Sequence, residues 1–173
     1  MDKYYYLASQ LPFLKFNERV HLGRESFLVE ARKWLSDRDF NLLSQVDLND
    51  FYPKPAEPQI LREYKKFEHS LRQEISLTRG VKEVLESGEI LKPYLLEGSP
   101  LDIERKLLKL RWDFIEEKEE GNYFNLEFLV LFFLKLQILE RLFIFDKDKG
   151  RAAFDKLSEI NPDKNQEKAW LNA

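Results

Sequence analysis

The chain has no cysteine, two histidines, one methionine and six glycines in 173 residues. Without cysteine it can form no disulfide, no thiolate metal site and no thiol nucleophile, and it is read as cytoplasmic. His21 and His69 belong neither to an HExxH pattern nor to a carboxylate and histidine pair at the i, i+3 spacing of di-iron helices. His69, with Glu68 and Arg72 for neighbours, reads as a surface residue. The glycines are scattered at expected helix ends, and neither a GxSxG elbow nor a GxxxxGK[ST] loop is present. No catalytic residue, cofactor or metal is therefore expected, and the chain is read as a non-enzyme. An excess of one charge is missing too. Lys and Arg number 28 against 31 Asp and Glu, interspersed to a formal charge of -3, so no basic block stands ready for a run of phosphates. Nucleic acid is not an expected partner. The opening MDKYYYLASQLPFLKF lacks the continuous apolar segment and small-residue cleavage site of a signal peptide.

What the chain does have is apolar and aromatic mass. It is 43% apolar and 34% charged, the composition of a folded, well-solvated globule, and its 14% aromatic content is enough to serve an interface as well as a core. From Leu126 to Phe145, fifteen of twenty residues are Leu, Phe, Ile or Val. A helix that is apolar nearly all round must be enclosed by other helices or by lipid. Lys135, Gln137, Glu140 and Arg141 in its second half are costly in lipid, so a buried core helix is expected over a membrane span.

The expected fold is all-α, an irregular multi-helix bundle built around a buried antiparallel helical hairpin. Tyr4 to Leu11 reads as a short helix or a strand, with helix favoured because everything downstream is helical. Ser26 is expected to cap a helix to about Leu35, and Ser36, with Asp39 three residues on, a second helix to about Val46. Pro53, Pro55 and Pro58 make Asp47 to Pro58 a connector. Ile60, Tyr64, Phe67, Leu71, Ile75 and Leu77 then form one stripe on a long helix ending at Gly80, and a turn or two of helix is expected from Val81 to Leu85. Leu91 to Gly98 reads as a loop. Ser99, Pro100 and Asp102 occupy N-cap, N1 and N3 of a helix running to about Glu120, with Ile103, Leu107, Leu110 and Phe114 inward. Asn125 caps the apolar helix and completes the hairpin. A short helix around Ala152 to Leu157 and a polar tail, 161–173, close the chain. The expected divisions are an N-terminal helical segment, 1–52, a main bundle, 53–160, and the tail, read together as one compact domain.

Few charged groups stand out. Glu116 to Glu120 reads as a solvated helix end. In an antiparallel hairpin the early residues of one arm lie beside the late residues of the other, so Glu104 is expected to meet Arg141. Glu104, Arg111, Trp112, Glu140 and Arg141 are taken as structural or interface residues, with Glu140 and Arg141 expected in apolar surroundings. A buried pair there would fix hairpin packing, and losing one partner would cost about 3 to 5 kcal/mol. A small enzyme using Glu104, Arg111, Glu140 and Arg141 in a cleft is the weaker alternative. Tyr4, Tyr5 and Tyr6 read as edge packing that also offers a partner an anchor.

Three segments together carry a resemblance: YYYLASQLP, FLVEARKWLSDRDFNLLSQVDL, and the hairpin with Glu104, Arg111, Trp112, Phe124, Leu134 to Arg141 and Lys149 to Gly150. They resemble an uncharacterised bacterial family encoded in operons for V-type (V/A-type) rotary ATPases. That family is similar, more distantly, to the C subunit of those enzymes, called d in eukaryotes, a helical funnel joining the central stalk to the membrane rotor ring. The chain is about half the length expected of that subunit. The resemblance implies a non-enzymatic accessory or C-like subunit, with stalk or rotor subunits as partners and membrane contact only through them, at the inner membrane. The alternative is an independent helical scaffold or self-associating module, with a homo-oligomer left open.

Overall fold

The computed structural model describes residues 2–80 and 90–144, and all regular structure among them is helical. The helices are α1 (Asp2–Gln10), α2 (Arg24–Trp34), α3 (Asp37–Ser44), α4 (Gln59–Gly80), α5 (Pro100–Glu119) and α6 (Leu126–Ile144), with one 3-10 turn at Pro93–Leu96. This is an all-α multi-helix bundle. The chain divides into two compact units, Met1–Leu142 and Phe143–Ala173, and the first holds the features below. The expected helices at 81–85 and 152–157 and the polar tail lie outside the described residues.

Local chemistry explains where the helices start. At α3 the Ser36 hydroxyl accepts from the Asp39 amide at 3.3 Å. At α5 the Ser99 hydroxyl accepts from the Asp102 amide while the Asp102 carboxylate accepts from the Ser99 amide, a reciprocal capping box with proline at the first helical position. The Asn125 side chain accepts from the Phe128 amide at 2.8 Å and starts α6. Helix α2 departs from expectation: it begins at Arg24 after an N-cap Gly23, and Ser26 lies exposed within its first turn. No side chain of the N-cap residue serves this terminus. Instead Glu140 reaches in from α6 and accepts from the Arg24 amide at 2.8 Å, supplying the anion that a helix N-terminus favours.

Helix α6 is enclosed. Eleven consecutive residues, Leu129 to Leu139, are buried whatever direction they face. On one side α2 packs by Phe27, whose ring centroid lies 5.4 Å from that of Phe132 and 5.3 Å from that of Phe133. On another lies α5, antiparallel, with Lys135 opposite Glu119 and Arg141 opposite Glu104. Helix α4 joins the outer face of α5 through Phe67 and Phe114, stacked at 4.2 Å. The segment read as a plain loop, Leu91 to Gly98, is a packing element: Leu91 and Leu95 form a core cluster with Leu71 of α4 and Leu107 of α5. Leu77 departs from the expected α4 stripe and stands 55% exposed.

The connector between α3 and α4 dips into the core at Val46 and Leu48, where its buried backbone needs partners. The Gln137 amide of α6 donates to the Val46 carbonyl at 3.0 Å and accepts from the Leu48 amide at 2.9 Å. From the opposite direction the Tyr64 hydroxyl donates to the Leu48 carbonyl at 3.0 Å.

Candidate functional site

The polar side chains taken into the bundle are paired one by one. Glu68 is fully buried on α4 and accepts from Arg111 Nε at 2.8 Å, from Arg111 Nη2 at 2.9 Å and from Arg72 Nε at 2.7 Å. The two contacts from Arg111 are bidentate, the strong geometry for a guanidinium on a carboxylate. Burial opposes the charge on Arg111, but the hydrogen bonds and charge of Glu68 outweigh it and hold the guanidinium still more firmly protonated. Tyr64, one helical turn before Glu68, has its phenol pushed up by burial and by the Glu68 charge, so it stays a neutral donor to Leu48.

A second site lies where the connector meets α4. Lys65, 2% exposed, donates to Asp50 at 2.6 Å, to Glu57 at 2.5 Å and to the Tyr52 carbonyl at 3.4 Å. Burial disfavours its charge, yet the bonds to Asp50 and Glu57 prevail and raise its pKa. A third lies inside the hairpin. Lys135 on α6 donates to Glu119 at 2.6 Å, lies 3.5 Å from Glu116 and sits 4.8 Å above the Trp112 ring. The acidic run at the end of α5 is thus not solvated throughout, because two of its carboxylates hold a cation of the neighbouring helix.

The residues singled out in the sequence fall in separate places. Glu104 and Arg141 do meet, at 2.7 Å, with Arg141 also bound to Asn49 at 3.2 Å. Glu140 pairs with Arg24 at 2.5 Å, and Arg111 with Glu68. The set Glu104, Arg111, Glu140 and Arg141 therefore divides among three separate ion pairs rather than meeting in one cleft. The expected apolar surroundings of Glu140 and Arg141 are also corrected: their side chains are 33% and 42% exposed, because the last turns of α6 pass out of the enclosure. Trp112 is buried between Lys135 and Phe16, the two rings 5.6 Å apart edge to face.

Tyr4, Tyr5 and Tyr6 separate in role. Tyr4 donates to Asp39 at 2.8 Å and ties α1 to α3. Tyr5 and Tyr6 stand about half exposed, Tyr5 against Phe124 and Tyr6 stacked on Trp34. His69 is half-buried, its ring 6.0 Å from that of Phe51, and His21 is exposed. Among the described residues no three His, Asp or Glu side chains gather as a metal site, and no helix is long and apolar enough to cross a membrane.

Glu68 and Lys65 escaped the sequence reading. Their positions carried a signal, since Glu68 falls four residues after Tyr64 and three before Leu71, within the apolar stripe, and Lys65 follows Tyr64 four residues after buried Leu61.

By fold, then, the described residues form an all-helical body whose central hairpin is held together by Lys135 with Glu119 and joined to α4 by the buried Glu68–Arg111 pair. The chain belongs to the family described as a protein of unknown function (DUF2764), whose model matches residues 57–161, a stretch containing α4, α5 and α6. No curated protein and no solved structure matches the chain.

Proposed function

We propose that this chain is a non-enzymatic accessory or C-like subunit of a bacterial V-type ATPase, a central-stalk connector acting by rigid docking at the cytoplasmic face of the membrane. The link to the ATPase comes from the sequence resemblance. What supports a mechanical role is one observation: α6 is sealed over eleven residues, and the two polar side chains within that stretch, Lys135 and Gln137, are both bound to neighbouring elements. A subunit that bears load between a stalk and a rotor ring needs helices that neither slide nor open under force. Close packing with satisfied polar groups has that property. ATP hydrolysis and ion transport belong, on this reading, to other subunits.

The test is affinity purification of the tagged protein from its native cells in mild detergent. Recovery of stalk or catalytic subunits of the ATPase in fixed ratio is the expected result. Recovery of the chain alone, where a second tagged subunit brings down the intact ATPase, overturns the proposal.

A further inference from the structure

The end of the bundle where α5 turns into α6 carries apolar surface that the core does not use. Tyr5, Tyr6, Phe13, Tyr123 and Phe124 are between 48% and 82% exposed. Four rings run in series, with centroids 5.6 Å apart from Trp34 to Tyr6, 6.0 Å from Tyr6 to Tyr5 and 4.9 Å from Tyr5 to Phe124. Beside them Phe13 and Tyr123 rim a cleft of about 300 Å³ whose walls include Leu11, Phe128 and Phe132. The exposed rings present on the order of 500 Å² of apolar surface, at the upper end for a monomer.

Two further observations give this end its character. Phe124 has φ of +56°, in the left-handed region that a bulky side chain enters at a cost. The residue is 48% exposed and its ring packs on Tyr5, itself half exposed, so the strained backbone sets an aromatic side chain at the surface rather than in the core. Adjoining the cleft, and sharing Asn122 with it, is a groove of about 670 Å³ lined by Glu63, Glu117, Glu120 and Glu127. Lys118 is the cation among its lining residues and lies 3.2 Å from Glu63, which leaves the groove strongly negative.

We propose that this end docks a cationic amphipathic helix of a protein partner. One large apolar side chain of that helix enters the cleft between Phe13 and Tyr123, others lie across Tyr5 and Phe124, and its Lys or Arg residues follow the carboxylates of the groove. This is the helix-in-groove mode of recognition. The inference rests on the docking reading above and adds the chemistry of the partner. A second copy of the chain fits poorly, because a two-fold contact would set the groove against its own like charges. The apolar area is also below the roughly 800 Å² per partner of a standard interface. An anionic membrane surface is repelled for the same electrostatic reason.

The test is fluorescence anisotropy with a labelled amphipathic Leu/Lys peptide, four helical turns long, and a Leu/Glu peptide of the same pattern. The Leu/Lys peptide is expected to bind saturably and more weakly at high salt, and the Leu/Glu peptide not at all. Affinity should fall by about tenfold or more in Phe13→Ser with Tyr123→Ser, and separately in Glu117→Lys with Glu120→Lys. All four residues are exposed, so circular dichroism should show both variants folded. Equal binding of the two peptides, or unchanged binding by either variant, overturns the proposal. So does a dimer in sedimentation that Phe13→Ser dissociates. ATPase subunits that co-purify undiminished with both variants would refute this face while sparing the ATPase assignment. Peptide binding at this face with no ATPase subunit recovered would do the reverse.

Discussion

Replacing Glu68 by alanine should be among the most damaging single changes available in this fold. The carboxylate is wholly buried and receives both Arg111 and Arg72, whose side chains are 12% and 38% exposed. Arg72 can turn to water when its partner goes. Arg111 cannot, and it is left as a buried cation with no hydrogen-bonded carboxylate, Glu104 acting on it only through space. A stranded partner of this kind costs about 3 to 5 kcal/mol, a large part of the roughly 5 to 15 kcal/mol that holds a domain together. At about 2 to 4 °C per kcal/mol for a chain of this size, the midpoint should fall by about 6 to 20 °C. Urea unfolding followed by circular dichroism, together with a thermal melt, measures both quantities. Glu68→Leu with Arg111→Met removes both buried charges and should recover most of the loss, a coupling of about 2 kcal/mol or more in the double-mutant cycle. A loss below about 1 kcal/mol for Glu68→Ala, or strict additivity in the cycle, would refute the reasoning by showing that Arg111 finds water or another acceptor.

Arg141→Ala should cost only about 0 to 1 kcal/mol in the same assay, since the Glu104 pair lies at a solvated rim. Lys135→Met should stay within about 1.5 kcal/mol of the parent, because an apolar side chain of similar length fills the space above Trp112 and frees Glu119 to face water. Ser99→Ala removes the hydroxyl of the α5 capping box and should cost about 1 kcal/mol by urea titration. Stability measured against pH should be flat in the middle and fall at both ends. Burial opposes ionisation of Asp50, but Lys65 and the Tyr52 amide hold its pKa below the usual range, so its contribution is present above about pH 4 and lost as pH falls through the folded value. Lys65, its pKa raised by Asp50 and Glu57 against burial, contributes fully below about pH 10.4 and loses that contribution as pH rises through its folded value. Asp50→Asn should shorten the acid limb of the curve and weaken the alkaline one.

The parts of this fold legible in the sequence are those set by nearest neighbours. Ser36 with Asp39, Ser99 with Pro100 and Asp102, and Asn125 before the apolar run each satisfy orphan amides within a few residues, and each begins a helix as expected. The apolar run itself required enclosure, and the antiparallel pairing put Glu104 opposite Arg141. Features depending on a third element were not legible. The start of α2 shifted because Glu140, over a hundred residues away, serves its amide. Helix α5 buries Leu108, Trp112 and Ile115 with Leu107, while Ile103, Leu110 and Phe114 of its expected stripe are only half-buried, because it lies between α4 and α6 and must be apolar on two sides. Glu68 looked like a surface residue by type although its position lay within a buried stripe, and only the facing Arg111 resolves that conflict. At the aromatic end the tyrosines were visible as a cluster, but their continuity with Phe13, Tyr123 and Phe124 arises only when the hairpin turn comes beside α1.

The sealing of α6 has a consequence for how the helix is oriented. An ordinary surface helix knows which way to face because one side is greasy and the other is not. A helix apolar around its whole circumference lacks that cue, and rotating it by one residue about its axis would exchange one hydrophobic side chain for another. Gln137, with Lys135 held by Glu119 on the α5 side, breaks the degeneracy. Its amide group can satisfy both the Val46 carbonyl and the Leu48 amide at only one azimuth, and every other setting leaves two backbone groups and the amide itself without partners. The side chain acts as a key in a shaft, one of two polar groups on α6 that turn a core tolerant of many rotations into one that favours a single angle.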